Sequence, residues 1–275
     1  MSLGCFPASG RARDYALQFY SSVKTDEFLH FEEPCPYVSG RLSSGDLMLG
    51  WKWFDQYESL IPYGWRRAGD ILYRYRCEGC SSCIPIRLSA TGYPSSGSRA
   101  KRLKRLNGDI VLTISDATYK EEHFRLYDNY IRMRHGGSGA SMEESYKGLL
   151  SSPMAAVSEY RDSGGNLVGI GFLDVLPFGL SSVYFAFDPA EAKRSLGSYS
   201  IYAESELSLR MGKKYYYLGF WVPHAMKMDY KADFPPFQLA FPRMLAGEEN
   251  VKSLVWEEFR SKADALKRLA ALPHR

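Results

Sequence analysis

Three of the five cysteines stand three apart, in Cys77-Glu-Gly-Cys80-Ser-Ser-Cys83. Two-residue spacers make tight turns, so this run can wrap three sulfurs round one point, as a metal held by thiolates requires. A fourth ligand must come from elsewhere, and Cys35, followed by Pro36, is the best candidate; Cys5 is the remaining cysteine. Zinc and an iron–sulfur cluster both fit this arithmetic, and so does a thiol loop that holds nothing. The odd count argues against a disulfide framework. A second segment, Arg99-Ala-Lys101-Arg102-Leu-Lys104-Arg105, has five cations in seven residues and no acid. It suits contact with RNA phosphates, with a solvated helix face as the plainer alternative. Trp65-Arg66-Arg67 adds to the anion-binding side of that balance. In Asp174–Asp188, Ser181, Ser182 and Tyr184 put hydroxyls into an otherwise apolar stretch. From Tyr215 to Lys231 aromatics alternate with Lys227 and Lys231, a mixture that can stack bases and hold phosphates, or simply form a core strand and a loop. The histidines, His30, His123, His135, His224 and His274, include no pair at metal-ligand spacing. His135 follows Arg132 and Arg134 and precedes Gly136-Gly137, a place for a base or for a structural helix end. No P-loop, dinucleotide fingerprint or nucleophile elbow occurs, which disfavours nucleotide hydrolysis and dinucleotide redox chemistry.

The elements that must position these residues are partly readable. Residues 46–60 predict a helix with Asp46 as N-cap, Leu49, Trp53 and Tyr57 on one face, and Pro62 beyond its end. Residues 71–76 and 84–89 predict short strands flanking the cysteines. Residues 94–109, polar and basic with Pro94, Gly97 and Gly108, predict a linker or arm, with the domain boundary in or just after it. Strands are expected at 110–114, 154–160, 167–175, 181–187 and 215–220, and helices at 116–134 and 196–211, the latter ending at Gly212. The tail 255–272 predicts a helix, with Val255, Phe259, Leu266 and Leu269 on one side. The expected division is a cysteine-bearing domain over 1–108 and an α+β domain over 109–275.

Composition bounds the class. The chain has 275 residues, 45% hydrophobic and 24% charged, with 15% aromatics. These are globular values, and they exclude disorder, collagen and coiled coil as the main state. Net charge is +4, which tolerates an anionic partner without demanding one. No apolar run reaches the length of a membrane span and no apolar leader opens the sequence, so a cytosolic protein without membrane partners is expected.

Several segments together resemble one family. Gly64-Trp-Arg66-Arg67-Ala-Gly69, with Tyr57 before it and Tyr73 after it, resembles the N-terminal signature of the arginyl/leucyl-tRNA–protein transferases. Cys77-x-x-Cys80-x-x-Cys83-Ile-Pro-Ile-Arg87 resembles the bacterial form of its cysteine motif, and Cys35-Pro-Tyr its upstream cysteine. Asp174–Asp188, Ser195–Ser200, Tyr217–Phe220 and Lys227–Lys231 resemble its C-terminal signature in order. The likeness runs from about residue 30 to 242. Two departures are visible: Ala68 stands where the family loop usually has Ser, which removes a hydroxyl, and Val38-Ser39 replaces the usual Leu-Pro after the upstream cysteine.

The resemblance implies an acetyltransferase-like (GNAT) C-terminal half and transfer of an amino acid from aminoacyl-tRNA to the α-amine of a protein N-terminus, creating a degradation signal. The length is that of the bacterial branch, which uses leucine and acceptors beginning with Asp or Glu; the longer branch uses arginine. In the longer branch the cysteines are associated with zinc or a cluster, which makes Cys35, Cys77, Cys80 and Cys83 the candidate ligands here, with no cofactor required for transfer. On this footing Arg66, Arg67 and Arg87 are expected to clamp the acceptor carboxylate. Arg99, Lys101, Arg102, Lys104, Arg105 and Lys231 are expected to hold the tRNA, and Asp174, Tyr184 and Lys227 to serve the reaction, Asp174 by reading the donor's α-ammonium. Amides of a splayed strand near 218–220 are expected to meet the developing oxyanion. A non-catalytic RNA-binding protein with a structural metal, and a CoA-dependent N-acetyltransferase, are the competing readings. The second lacks a full pyrophosphate loop, since Arg194-Ser-Leu-Gly-Ser is only a partial one.

Overall fold

The computed structural model describes residues 28–92, 97–135, 141–242 and 254–272, without the side chains of His135 and Ser141. Cys5, Pro94, Gly136, Gly137 and His274 lie outside the described residues. Two sheets carry the architecture. The first has strands β1 (Leu29–Pro34), β2 (Leu42–Leu49), β3 (Arg66–Ala68) and β4 (Ile71–Tyr75), ordered β1-β2-β4-β3 and antiparallel throughout. The second contains β5 (Ile84–Ser89), β6 (Val111–Asp116), β7 (Ala155–Arg161), β8 (Leu167–Val175), β9 (Gly179–Phe187), β10 (Tyr215–Trp221), β11 (Phe237–Pro242) and β12 (Leu254–Phe259). Their order is β12-β11-β5-β10-β9-β8-β7-β6, and β9–β10 is its parallel pair. The result is α+β, as expected from the sequence.

Both faces of the large sheet are covered, which is why β8 is buried along nearly its whole length instead of alternating. One face packs on helices α1 (Ser98–Leu106), α4 (Leu196–Arg210) and α5 (Lys262–Ala270), through Leu103, Tyr202, Leu207 and Ala265 against Leu88, Tyr216 and Leu218. On the other face, α2 (Glu121–His135) and α3 (Ser141–Leu150) cover Val157, Ile170, Phe172 and Ala186. Beside them the small sheet lies against Tyr217, Phe220 and Val222. The helix α4 links the parallel strands β9 and β10. It ends in a paired closure, Lys213 N–H to Ser208 O and Gly212 N–H to Leu209 O, with Gly212 at φ +68°.

Three expectations are corrected. Residues 46–60 do not form one helix: β2 runs through Asp46 to Leu49, and only short helical turns follow, at Gly50–Trp53 and Tyr57–Leu60. Pairing on both edges, with β1 and β4, overrides the helical spacing, and Asp46 binds Arg74 instead of capping a helix. The basic stretch is no arm. It is α1, held down by Ala100 and Leu103, each 2% exposed, and closed by Asn107, whose amide donates to the carbonyls of Leu103 and Arg194. The tail is β12 followed by α5, with Ser261 as its N-cap, because Val255 and Trp256 pair across to β11. The two strands flanking the cysteines belong to different sheets. β5 sits between β10 and β11, so the chain passes from the small sheet to the large one at the cysteine segment.

Candidate active site

The parallel register of β9 and β10 runs from Gly179–Tyr215 to Ser181–Tyr217 and stops, so the strands part at Ser182 and Leu218. At the same level β10 bulges on its other edge, against β5, between Tyr217 and Gly219. Gly219 has φ +86°, a conformation that only glycine adopts at no steric cost. Its missing side chain is also used. Lys231 Nζ would lie 3.5 Å from a Cβ there, and Arg66 Nη2 3.7 Å. Lys231 donates to Leu218 O at 2.7 Å. Arg66 reaches in from β3 and donates to Ser181 Oγ at 3.3 Å and Ser182 O at 3.2 Å. Arg66 is 4% exposed and has no ion pair among the described residues. Two cations thus meet over the backbone where the strands separate. Tyr57, fully buried, stands among Arg66, Ser181 and Asp174, and burial pushes its hydroxyl up from the ordinary tyrosine value.

The next residue on β3 does something different. Arg67 and Asp174 are both sealed from solvent, and Arg67 Nε lies 2.9 Å from each carboxylate oxygen. Its other nitrogens donate to Gly69 O, Gly148 O and Leu149 O, the last two being carbonyls of the final turn of α3. Asp174 and Ser181 face each other across β8 and β9. Consecutive arginines of the small sheet therefore hold neighbouring strands of the large one.

The residues expected to act together are placed apart. Arg67 and Asp174 engage each other inside the protein, away from solvent. Arg87 is also enclosed: it donates to Gln238 and Tyr217, and its guanidinium lies between the rings of Tyr215, at 3.6 Å, and Trp256, at 4.0 Å. The three expected clamp residues do not converge on one point. Tyr184 packs edge-on against Tyr127 of α2, and Lys227 is exposed on the helical turn Met226–Asp229. Of the basic stretch, Arg99 pairs with Asp233 and Lys104 lies over Tyr202, while Lys101, Arg102 and Arg105 are exposed. The Arg99–Asp233 bond ties α1 to the turn that carries Lys231.

Sequence reasoning passed over Glu204. It is 1% exposed, on the face of α4 against the sheet, and accepts hydrogen bonds from Ser158 at 2.8 Å, Tyr160 at 3.0 Å and Tyr216. Burial pushes its carboxyl up. Gly171 makes room, since a Cβ there would sit 2.3 Å from both Glu204 and Ser158 oxygens. The available signal was a carboxylate at helical spacing between Ser200 and Leu207 in an apolar run.

The four described cysteines line one small cavity of about 10 Å³, between the two sheets' connecting segment and the Cys35 loop. Val38 N–H points to Cys35 Sγ and Ser44 N–H to Cys77 Sγ, each at 3.4 Å, donors of the kind that support thiolate sulfur. Burial pushes the Cys77 and Cys83 thiols up. The four thiols are thus of the donor type that a thiolate-bound metal needs and share one cavity, but no group of three His, Cys, Asp or Glu side chains among the described residues stands so as to hold one.

A splayed parallel strand pair with two cations over the gap thus lies against the small sheet, whose adjoining loops carry the cysteines. Family models described as arginine-tRNA-protein transferase, N terminus and C terminus, match residues 33–101 and 122–241. An aspartate/glutamate leucyltransferase of Thiobacillus denitrificans is 36% identical over 81% of this chain and 91% of its own. One from Saccharophagus degradans is 35% identical over 75% and 89%. A GCN5-related N-acetyltransferase from Kribbella flavida shares 10% identity over 54% of this chain and 51% of its own, with a TM-score of 0.33. The chain belongs to the arginyl/leucyl-tRNA–protein transferase family, and it is an aminoacyltransferase.

Removing one partner of a sealed ion pair leaves the other charge buried and unpaired, which costs about 3–5 kcal/mol. Asp174→Ala is therefore expected to lower the free energy of unfolding by that amount, measured in urea. A loss below about 1 kcal/mol, the range of an exposed pair, would contradict the buried-pair assignment.

Proposed function

We propose that this enzyme transfers leucine from leucyl-tRNA to the α-amine of polypeptides beginning with Asp or Glu, marking them for degradation in the cytoplasm. The observation that carries this reading is the meeting of Arg66 and Lys231 over Gly219, where β9 and β10 separate. The names of the similar leucyltransferases support the choice of donor and acceptor. No helix among the described residues is long and apolar enough to cross a membrane.

The chemistry asks little of a base. An α-amine has a pKa of about 7.7–8, so roughly a tenth is neutral at pH 7, and freeing it costs about 1.4 kcal/mol. The aminoacyl ester is already an activated acyl donor. Alignment of two reactants can contribute about 7–11 kcal/mol, so positioning dominates. The ester carbonyl enters the gap between β9 and β10, the amine attacks its carbon, and negative charge develops on its oxygen. Arg66 and Lys231, fixed by backbone carbonyls, stabilise that charge without reorganising. The C–O bond to the tRNA ribose then breaks, an amide remains, and the amine's proton leaves with the ribose oxygen or to water. No covalent enzyme intermediate forms. Lys101, Arg102 and Arg105 hold the tRNA phosphates along α1, with Lys227 nearer the gap. Cys35, Cys77, Cys80 and Cys83 hold zinc or an iron–sulfur cluster, which braces the crossing between sheets and takes no part in transfer.

Labelled leucine and labelled arginine, each on its tRNA, offered to peptides beginning with Asp, Glu, Lys or Ala, test the reading. Leucine is expected on the Asp and Glu peptides only; transfer of arginine alone, or of neither label, would refute it. The triple change Lys101→Glu, Arg102→Glu, Arg105→Glu is expected to raise the KM for leucyl-tRNA at least about tenfold and to flatten its salt dependence, with the peptide KM unchanged. An unaltered tRNA KM would remove α1 from the interface. Elemental analysis of anaerobically purified protein is expected to find zinc, or iron with sulfide, and to lose it in Cys80→Ser; protein free of both would end the metal assignment.

A further inference from the structure

The expected acceptor clamp is not where the signature placed it. Arg67 and Arg87 are internally satisfied, and Arg66 lies in the strand gap. A different pair of arginines lines a cleft of about 340 Å³ between the cysteine segment, the end of β11 and α5. Arg74, on β4, and Arg76, just after it, both bind the single carboxylate of Asp46, at 2.9 Å and 3.4 Å. Two permanent cations thus share one carboxylate. Arg76 is the accessible member, its side chain 55% exposed against 28% for Arg74. Phe241, Leu254, Leu269 and Leu272 line the cleft with apolar surface, and so does Phe220, the residue after Gly219 on β10. Along β10 the cleft therefore comes within one residue of Gly219.

We propose that this cleft seats the N-terminal segment of the acceptor polypeptide, with Arg76, held in place by Asp46 and Arg74, pairing with the acidic side chain of its first residue. The proposal rests on the acceptor class stated above and names the surface that selects it. The cleft's volume is that of a small-ligand site, enough for a few residues and not for a folded protein. Its accessible arginine and apolar walls match a short peptide with a single carboxylate. An RNA end would call for a row of cations, as on α1. Arginine's planar fork suits a carboxylate and rejects the isosteric amide, so the same contact explains discrimination between Asp and Asn.

The test uses the full chain, saturating leucyl-tRNA, and two peptides differing only in Asp or Asn at the first position. Arg76→Ala is expected to raise the KM for the Asp peptide about tenfold, the loss of one charge-assisted contact, and to bring the Asp and Asn peptides close together. The kcat should stay within about twofold and the KM for leucyl-tRNA should not move, as for a residue that binds without acting on the reacting atoms. Arg76→Lys should recover part of the preference. An Asp/Asn ratio equal to that of the unmodified enzyme, or a shift in the tRNA KM in place of the peptide KM, would overturn the proposal. Calorimetric titration of both peptides into the unmodified protein and Arg76→Ala, without tRNA, reads the cleft independently of transfer. A preference for Asp that the variant loses supports the cleft even if the donor were wrong, and binding without preference overturns it.

Discussion

A guanidinium sealed from water must find an acceptor for every donor it carries, and Arg67 finds them in three separate parts of the protein. Asp174 belongs to the large sheet, Leu149 to the end of α3, and Gly69 to the turn of the small sheet itself. None of these contacts tolerates much displacement, because a buried donor left unpaired is costly. The position of β3 over β8 and β9 is thereby fixed, and with it the position of Arg66. The arginine that reaches the strand gap is accurate because its neighbour reaches nothing exposed.

The opposite face of the same sheet is held by the opposite charge type. Glu204 gathers hydroxyls from β7 and β10, including Tyr216, which lies two residues before Leu218. The bulge at Gly219 is thus braced from below by a carboxylate and hydroxyls, and approached from above by Arg66 and Lys231. Such buried networks stiffen a site only when every member is satisfied, and here the close approach of Glu204 to Gly171 is part of the satisfaction. Strands that part carry the burden of staying parted, and these contacts meet it.

What could be read from the sequence was what depends on neighbours along the chain. The strands from β7 to β10 and the helix α4 with its closing Gly212 follow from local pattern and turn chemistry. The signature residues were recognised as a set, and the parting of β9 from β10 fell where expected. What failed depended on partners far away. Nothing near residue 46 announces that two other strands flank it, so helical spacing was misread. Nothing in Arg66-Arg67 says that alternate side chains of a three-residue strand will meet different fates, one at the gap and one inside. Asp174 looked chemical because an acid in an apolar strand needs a partner, and its partner was 107 residues earlier. Arg74 and Arg76 carry no local signal, because the carboxylate they share lies 28 and 30 residues earlier.

The place of β5 has a consequence for how the chain is made. It lies in the interior of the large sheet, yet it leaves the ribosome well ahead of both neighbours; its Arg87 meets Tyr217 only 130 residues later. At ordinary elongation rates that interval is on the order of ten seconds. Throughout it, a strand with Ile84, Ile86 and Leu88 on one side has neither edge covered, which is the condition under which strands pair with the wrong chain. The two halves matched by separate family models are therefore not separable units of folding: the later half contains a slot that only the earlier half can fill.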